Sequence, residues 1–375
     1  MDSTAKLAEG NTAFALDLYR ELRTKDGNLF FSPYSLTAAL AMTCAGARGQ
    51  TEEQMAKALH FELKRSDLHP AFKALQAAIL QAQGSENIIK IANAIWPHRR
   101  YPFLQEYIDL LLREYGVQVT PVDYVSATEQ ARLQINAWAE GKTDGLIRNL
   151  IGPGVLGPLT VLVLVNAIYF KGVWARPFRP ENTAPAPFHT GTGETIEVPM
   201  MQLKDEFRYS RNEHAQMLEL PYAGETLSML ILLPDRADGL PALEEALSAA
   251  NLRKWLSARF YRPKVDLSLP RFRLDCGYSF NEPLKRLGME AGFSAQADFS
   301  GMDGSRELSI SQVLQRACVD VNEQGTEAAA ATAVVMQRLA MPEPPVVFCV
   351  DHPFLFLIRE RATGSILFMG RVDRP

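Results

Sequence analysis

Glu323-Gln324-Gly325-Thr326-Glu327-Ala328-Ala329-Ala330-Ala331-Thr332 runs into Ala333-Val334-Val335-Met336-Gln337-Arg338-Leu339-Ala340 and then into Pro342-Glu343-Pro344-Pro345. Two readings of this stretch compete. Alanine has the strongest helix propensity, so a helix ending in a surface loop is one of them. The other is an extended segment, in which alternate residues share a face. One face then carries Thr326, Ala328, Ala330, Thr332, Val334 and Met336, with no charge among them. The opposite face carries Glu327, Ala329, Ala331, Ala333, Val335 and Gln337. A strand with one small, uncharged face fits into the middle of a sheet with little steric conflict. Gly325, lacking a Cβ, is a natural hinge for such a move.

Outward from this stretch, the 375-residue chain has the balance of a globular protein, 47% hydrophobic and 22% charged. Its 39 basic and 43 acidic residues leave a net charge of −4, too even to point to nucleic acid or membrane. Cys44, Cys276, Cys318 and Cys349 are too far apart for a CxxC site and read as free thiols. Met1-Asp2-Ser3-Thr4 opens no charged-then-apolar leader. The expectation is a cytosolic protein, or a secreted one whose leader was removed before this numbering.

The first half reads as mainly helical. Phe14, Leu18 and Leu22 share a helix face, and Ser32-Pro33 caps a run of helix formers from Ser35 to Ala45. Helices are also expected from Thr51, over Gln105 to Tyr115 and over Thr128 to Glu140, with a strand at Ile88 to Ile95. Leu159 to Phe170 is apolar on both faces, as a covered central strand must be. Strands follow at Thr195 to Leu203, Phe207 to Ser210, Gln216 to Leu220, Leu227 to Leu233 and Val265 to Leu274. Short helices are expected at Leu240 to Ala249 and Leu252 to Arg259. A closing hairpin, Phe354 to Arg359 and Ser365 to Val372, turns at Thr363-Gly364. Helices first and strands after, without βαβ alternation, give an α+β fold in one domain, 1–375.

No catalytic pattern is visible. None of the six histidines forms an HExxH or HxH pair, so no metal is expected. There is no GxSxG elbow, and Gly191-Thr192-Gly193 lacks the lysine of a phosphate loop. Lys64-Arg65 and Arg99-Arg100 read as solvated surface, with a polyanion site as the weaker alternative. The chain is not expected to be an enzyme or to carry a cofactor.

Four long motifs, in order, resemble the serpin family over essentially the whole chain. They are Asn28-Leu29-Phe30-Phe31-Ser32-Pro33-Tyr34-Ser35, Leu164 through Trp174, Val321-Asn322-Glu323-Gln324-Gly325-Thr326 through Thr332, and Asp351-His352-Pro353-Phe354 with Gly364 through Val372. The resemblance implies three sheets, eight or nine helices and an exposed reactive-centre loop, about 323–345. It implies a hinge over Glu323 to Thr332 and a scissile bond sixteen residues beyond Glu323, between Leu339 and Ala340. The target is then a chymotrypsin- or elastase-like serine protease, or a cysteine protease. Arg338 would suit a trypsin-like enzyme if the loop register shifts by one.

The implied mechanism is suicide inhibition by a monomer, without nucleic acid or membrane. The protease is acylated at Leu339, and the cut loop inserts as a new central strand. Gly325 to Leu339 would carry the enzyme about 50 Å at strand rise. Ladder bonds worth roughly 1 kcal/mol each favour insertion by something on the order of 10 kcal/mol. The starting fold is therefore kinetically held. The resemblance places Ser32, Ser35 and Asn166 in a shutter that lets the sheet part, with Gln315 where the family usually has histidine. It places Glu323 opposite Arg271, near Trp174, in a breach at the top of the sheet. Non-inhibitory members, carriers or chaperones, tend to have bulky, charged or proline hinge residues; Ala328 to Ala333 contains none.

Overall fold

The computed structural model describes residues 2–325 and 344–375. Thr326 to Thr332 of the expected hinge, and Arg338, Leu339 and Ala340, lie outside the described residues.

Six helices occupy the first part of the chain: α1 (Ser3–Leu22), α2 (Pro33–Gly46), α3 (Gly49–Ala58), α4 (Arg65–Gln83), α5 (Gln105–Tyr115) and α6 (Thr128–Lys142). Four shorter ones follow: α7 (Leu240–Ala246), α8 (Ala249–Ser257), α9 (Asn281–Arg286) and α10 (Ser300–Asp303). Among the early elements are the strands β1 (Leu29–Phe31), β2 (Ile88–Pro97) and β3 (Leu162–Lys171). Next come β4 (Ala184–His189), β5 (Thr195–Glu206), β6 (Arg208–Arg211), β7 (Gln216–Pro221) and β8 (Leu227–Leu233). The last are β9 (Lys264–Pro270), β10 (Phe272–Ser279), β11 (Gln312–Val321), β12 (Val346–Cys349), β13 (Phe354–Glu360) and β14 (Ile366–Val372).

The strands form three sheets, in the orders β10-β11-β3-β2, β1-β14-β13-β8-β7-β6 and β12-β9-β5-β4. Helix α2 lies between the first two, touching β2 and β3 on one side and β14 on the other. All its residues are buried, which explains why it is apolar all round rather than striped. Its start is fixed locally: Pro33 opens it, and the Ser32 hydroxyl accepts from the Ser35 N–H at 3.2 Å. The other face of the first sheet is covered by α6 and the residues after it. There Ile135, Ile151 and Leu156 pack on Trp96, Val163, Val165 and Leu314. Strand β3 is thus sandwiched between helices, as a strand apolar on both faces requires.

Four departures from the sequence reading have local causes. Val265 to Leu274 is two strands rather than one. The chain breaks at Arg271, after Pro270, and β9 and β10 belong to different sheets. Helix α4 escaped the pattern because Pro70 interrupts it, although Leu68, Phe72, Leu75 and Ile79 keep helical spacing on its buried side. Strand β4 carries Pro185 and Pro187 and is accommodated as a sheet edge, where missing donors do no harm. Strand β11 is interrupted by Gln315, Arg316 and Asp320, which mask its alternation.

Candidate functional site

Among its four named strands the first sheet has one parallel seam. β10 pairs with β11 and β2 with β3, both antiparallel, whereas β11 and β3 run parallel from Gln312↔Val163 to Cys318↔Tyr169. Immediately after β11 the chain reverses. The Asn322 N–H donates to the Gly325 carbonyl at 2.9 Å and the Gly325 N–H to the Asn322 carbonyl at 3.2 Å, closing a turn over Glu323-Gln324. Gly325 is bridged antiparallel to Asn322 and also to Val173, just past the end of β3. At Gly325 the backbone therefore runs antiparallel both to Asn322 and to Val173.

Gly325 is required here by contact as well as by conformation. Its φ is 121°, and a Cβ on it would lie 2.1 Å from the Gly172 carbonyl oxygen and 2.6 Å from the Trp174 nitrogen. The turn is moored on three sides. The Trp174 N–H donates to the Gln324 carbonyl at 3.0 Å and its indole Nε1–H to the Asn322 carbonyl at 3.0 Å. The Phe178 N–H reaches the Glu323 carbonyl at 2.8 Å. Trp174 is itself held by stacking on Tyr222, with centroids 4.6 Å apart.

Glu323 is 5% exposed and accepts from Arg271 Nε at 2.7 Å and from Thr183 Oγ1 at 2.5 Å; Arg271 Nη2 adds a second contact. Burial opposes ionisation of this carboxyl, but the hydrogen bonds from Arg271 and Thr183 outweigh it and hold its pKa below the ordinary range. Arg271 can reach Glu323 because it stands at the corner between β9 and β10, its N–H donating to the Pro199 carbonyl at 2.9 Å. The strand break missed in the sequence is what positions it.

Lower on the same seam lies a buried polar row. Asn93, Asn166, Gln315 and Tyr278 are successive partners across β2, β3, β11 and β10. Gln315, 1% exposed, donates to the Ser32 carbonyl at 2.9 Å and to Asn166 Oδ1 at 2.5 Å, and accepts from the Ser32 N–H at 2.9 Å. Asn166 donates in turn to Ser35 Oγ and to Asn93 Oδ1. The Ser32 hydroxyl donates to the Leu367 carbonyl at 2.6 Å, tying the row to β14. Ser32, Ser35, Asn166 and Gln315 thus meet in one network, as do Trp174, Arg271 and Glu323 in another. Sequence reasoning missed Asn93, Tyr278 and Thr183. An asparagine inside the apolar run of β2 was the available signal for the first.

The three arginines of the basic pairs are engaged locally: Arg65 with Glu52 at 3.5 Å, Arg99 with Asp123 at 2.8 Å and Arg100 with Glu307 at 3.2 Å. Among the described residues no group of three or more His, Cys, Asp or Glu side chains is arranged to hold a metal ion. No described helix is long and apolar enough to cross a membrane. All four cysteines are free, Cys44 and Cys318 buried and Cys276 and Cys349 half-buried.

A family model described as serpin (serine protease inhibitor) matches residues 9–375. The leukocyte elastase inhibitor of Sus scrofa is 43% identical over 380 residues, covering 99% of this chain and all of that protein. Serpin B4 of Homo sapiens is 41% identical over 388 residues, covering 98% and 99%. The crystal structure of Serpin48 from the insect Tenebrio molitor superposes with a TM-score of 0.87 at 34% identity, covering 99% of this chain and 98% of that one. Three sheets in this order, the Asn322–Gly325 turn on Trp174 and this likeness along the whole length lead to one conclusion: the chain belongs to the serpin family of serine protease inhibitors.

Proposed function

We propose that this protein, a single domain over 1–375, inhibits an elastase- or chymotrypsin-like serine protease as a suicide substrate. Cleavage falls at Leu339–Ala340, and Arg338 makes a trypsin-like enzyme the second candidate. The observation that carries this reading is the parallel seam between β3 and β11, with the backbone at Gly325 bridged antiparallel on both sides. Inserting that chain replaces the parallel pairing of β3 with β11 by two antiparallel ones, and antiparallel pairing is the more stable per residue. Seven residue pairs are broken, Gln312↔Val163 to Cys318↔Tyr169, and two new ladders form in their place. Relatives that carry the name leukocyte elastase inhibitor support the choice of target.

In this reading Glu323 to Thr332 is the hinge and Gly325 already occupies the first rung of the new strand. The Arg271–Glu323–Trp174 cluster marks where the sheet begins to open. Gln315, Asn166, Ser35 and Ser32 must let go, or slide together, as β3 and β11 part. The loop reaches its target as a monomer, without cofactor, nucleic acid or membrane; the near-neutral charge balance fits that.

The test is incubation with elastase, chymotrypsin and trypsin, followed by a denaturing gel and mass analysis. A covalent complex with elastase or chymotrypsin and a cut after Leu339 is expected. A cut after Arg338 with a trypsin complex would move the specificity residue. Cleavage by all three without any complex would leave a substrate, not an inhibitor.

A further inference from the structure

Asn87 stands just before β2, is 1% exposed, and belongs to neither of the two networks described above. Its side-chain amide closes a ring of three hydrogen bonds between separate parts of the chain. Asn87 Nδ2 donates to the Ala223 carbonyl at 2.8 Å. The Ala223 N–H donates to the Val173 carbonyl at 2.7 Å, and the Val173 N–H to Asn87 Oδ1 at 3.0 Å. Nδ2 also donates to the carbonyl of Gln83, the last residue of α4, at 3.0 Å. Both amide donors and the amide oxygen are thus engaged by backbone groups.

The ring lies where pairing by β2 stops. The β2–β3 ladder runs as far as Ile88↔Lys171, and Val173 lies beyond it. There the Asn87 amide stands in for a further peptide group of β2, offering Val173 an acceptor and Ala223 a donor. In an extended chain the N–H and C=O of one residue point to one side and those of its neighbours to the other. Val173 turns both of its groups to Asn87 and Ala223, so the Gly172 C=O and the Trp174 N–H face the opposite side. On that side is the Asn322–Gly325 turn. The Trp174 N–H donates to the Gln324 carbonyl, and the Gly172 oxygen lies where a Cβ on Gly325 would collide with it. The peptide edge that meets Gly325 is therefore held from behind by Asn87.

We propose that Asn87 is a positioning residue for loop insertion: by holding Val173 it keeps the Gly172–Trp174 edge extended and in place to pair as the loop enters the sheet. The proposal rests on the suicide-substrate reading given above. Insertion competes with hydrolysis of the acylated protease, so a slack first rung favours release over trapping. Without the Asn87 amide, the N–H of buried Val173 and the Ala223 carbonyl lose the partners that fix them. Their cost falls on the edge where pairing has to start.

The test compares the parent with Asn87→Ala, Asn87→Ser and Asn11→Ala. Asn11 is equally buried, and its amide bonds the Ser365 hydroxyl, the Ile366 carbonyl and the Thr37 hydroxyl, between α1, α2 and β14. Its loss lowers stability in a comparable way without touching the turn. Each protein is mixed with elastase, chymotrypsin and trypsin, and the ratio of cleaved free inhibitor to covalent complex is read on a denaturing gel. Asn87→Ala should raise that ratio about fivefold, the worth of one hydrogen bond, and Asn87→Ser should raise it in the same direction. Asn11→Ala should stay within about twofold of the parent although its melting point falls as well. By amide exchange, the Trp174 N–H should open at least about tenfold faster in Asn87→Ala than in Asn11→Ala. Should Asn87→Ala not fold, Asn87→Ser decides by the same two readouts. A ratio unchanged or lowered by the Asn87 variants, or raised as much by Asn11→Ala, overturns the proposal and leaves Asn87 a role in stability alone. So does Trp174 exchange that matches Asn11→Ala. A parent that forms no complex overturns the suicide-substrate reading itself, and the proposal with it.

Discussion

Gln315→Leu should cost the fold more than any other single change in the polar row. Leucine keeps roughly the volume of glutamine and removes three hydrogen bonds at a site 1% exposed. The Ser32 carbonyl keeps a second partner, the Leu36 N–H at 3.2 Å. The Ser32 N–H and Asn166 Oδ1 lose theirs. Two orphaned buried groups at about 1–3 kcal/mol each give a loss of roughly 2–6 kcal/mol. For a chain of 375 residues that lowers the thermal transition by about 3–8 °C, compared at one fixed scan rate because family members are kinetically held.

Gln315→His supplies the sharper arm. Neutral imidazole offers one donor and one acceptor, enough to keep the Ser32 N–H and one of the two acceptors. Protonation removes the acceptor that faces the Ser32 N–H, so the folded-state pKa of this histidine lies below its unfolded value. Stability is then full above about pH 6.5 and lost as the pH falls through the folded pKa. The parent, with glutamine there, should show no such step from this site. The assay is a melting series from pH 8 to 5 on the three proteins. A leucine variant melting within about 1 °C of the parent, or a histidine variant parallel to it at every pH, would refute this account of the row.

Arg271→Ala leaves Glu323 with the Thr183 hydrogen bond alone. Because 44% of the Arg271 side chain is solvent-facing, the loss should be about 1–2 kcal/mol, below that of a fully buried pair. In the parent, the lowered Glu323 pKa contributes stability above the unfolded carboxyl range and loses it as the pH falls through the folded value. In the variant, burial is no longer outweighed, so the deficit should be largest at pH 7 and shrink towards pH 4; parallel melting curves would contradict this. Thr326→Arg would place a charge on the face that inserts if the loop enters the sheet as a strand, and should abolish the covalent complex while the loop is still cut; an unchanged complex on a denaturing gel would count against insertion. His69 is 4% exposed, and burial, helped by Arg65, holds its pKa down at about 4. Its contribution is therefore full above about pH 6.5 and lost progressively towards pH 4, so His69→Gln should flatten the melting profile in that window, with the His69 ring titrating near 4 by NMR.

Much of the site was legible in short motifs. Gly325 could be picked out because glycine tolerates the φ of 121° adopted there, and Ser32-Pro33 because a cap and a first-turn proline are local devices. The double-sided burial of β3 followed from its lack of alternation. Other features left no local trace. Asn93 joins the row only because β2 pairs with β3 in the one register that sets it beside Asn166. The break at Arg271 turns on which sheet each half joins, and an apolar run on either side of Pro270 does not report that.

Period and composition tell which face of a segment is apolar and where the chain turns, since both depend on neighbours a few residues away. On those grounds the loop could be read as a strand in waiting, and Glu323 to Gly325 as the point where it swings. That β11 lies parallel and directly against β3 depends on partners nearly 150 residues apart, Gln315 and Asn166 among them. Alternating side chains cannot encode that choice, because a strand offers the same pattern to any neighbour on either edge. The seam, and with it the place where an antiparallel strand would be better accommodated than the present pairing, exists only in the assembled sheet.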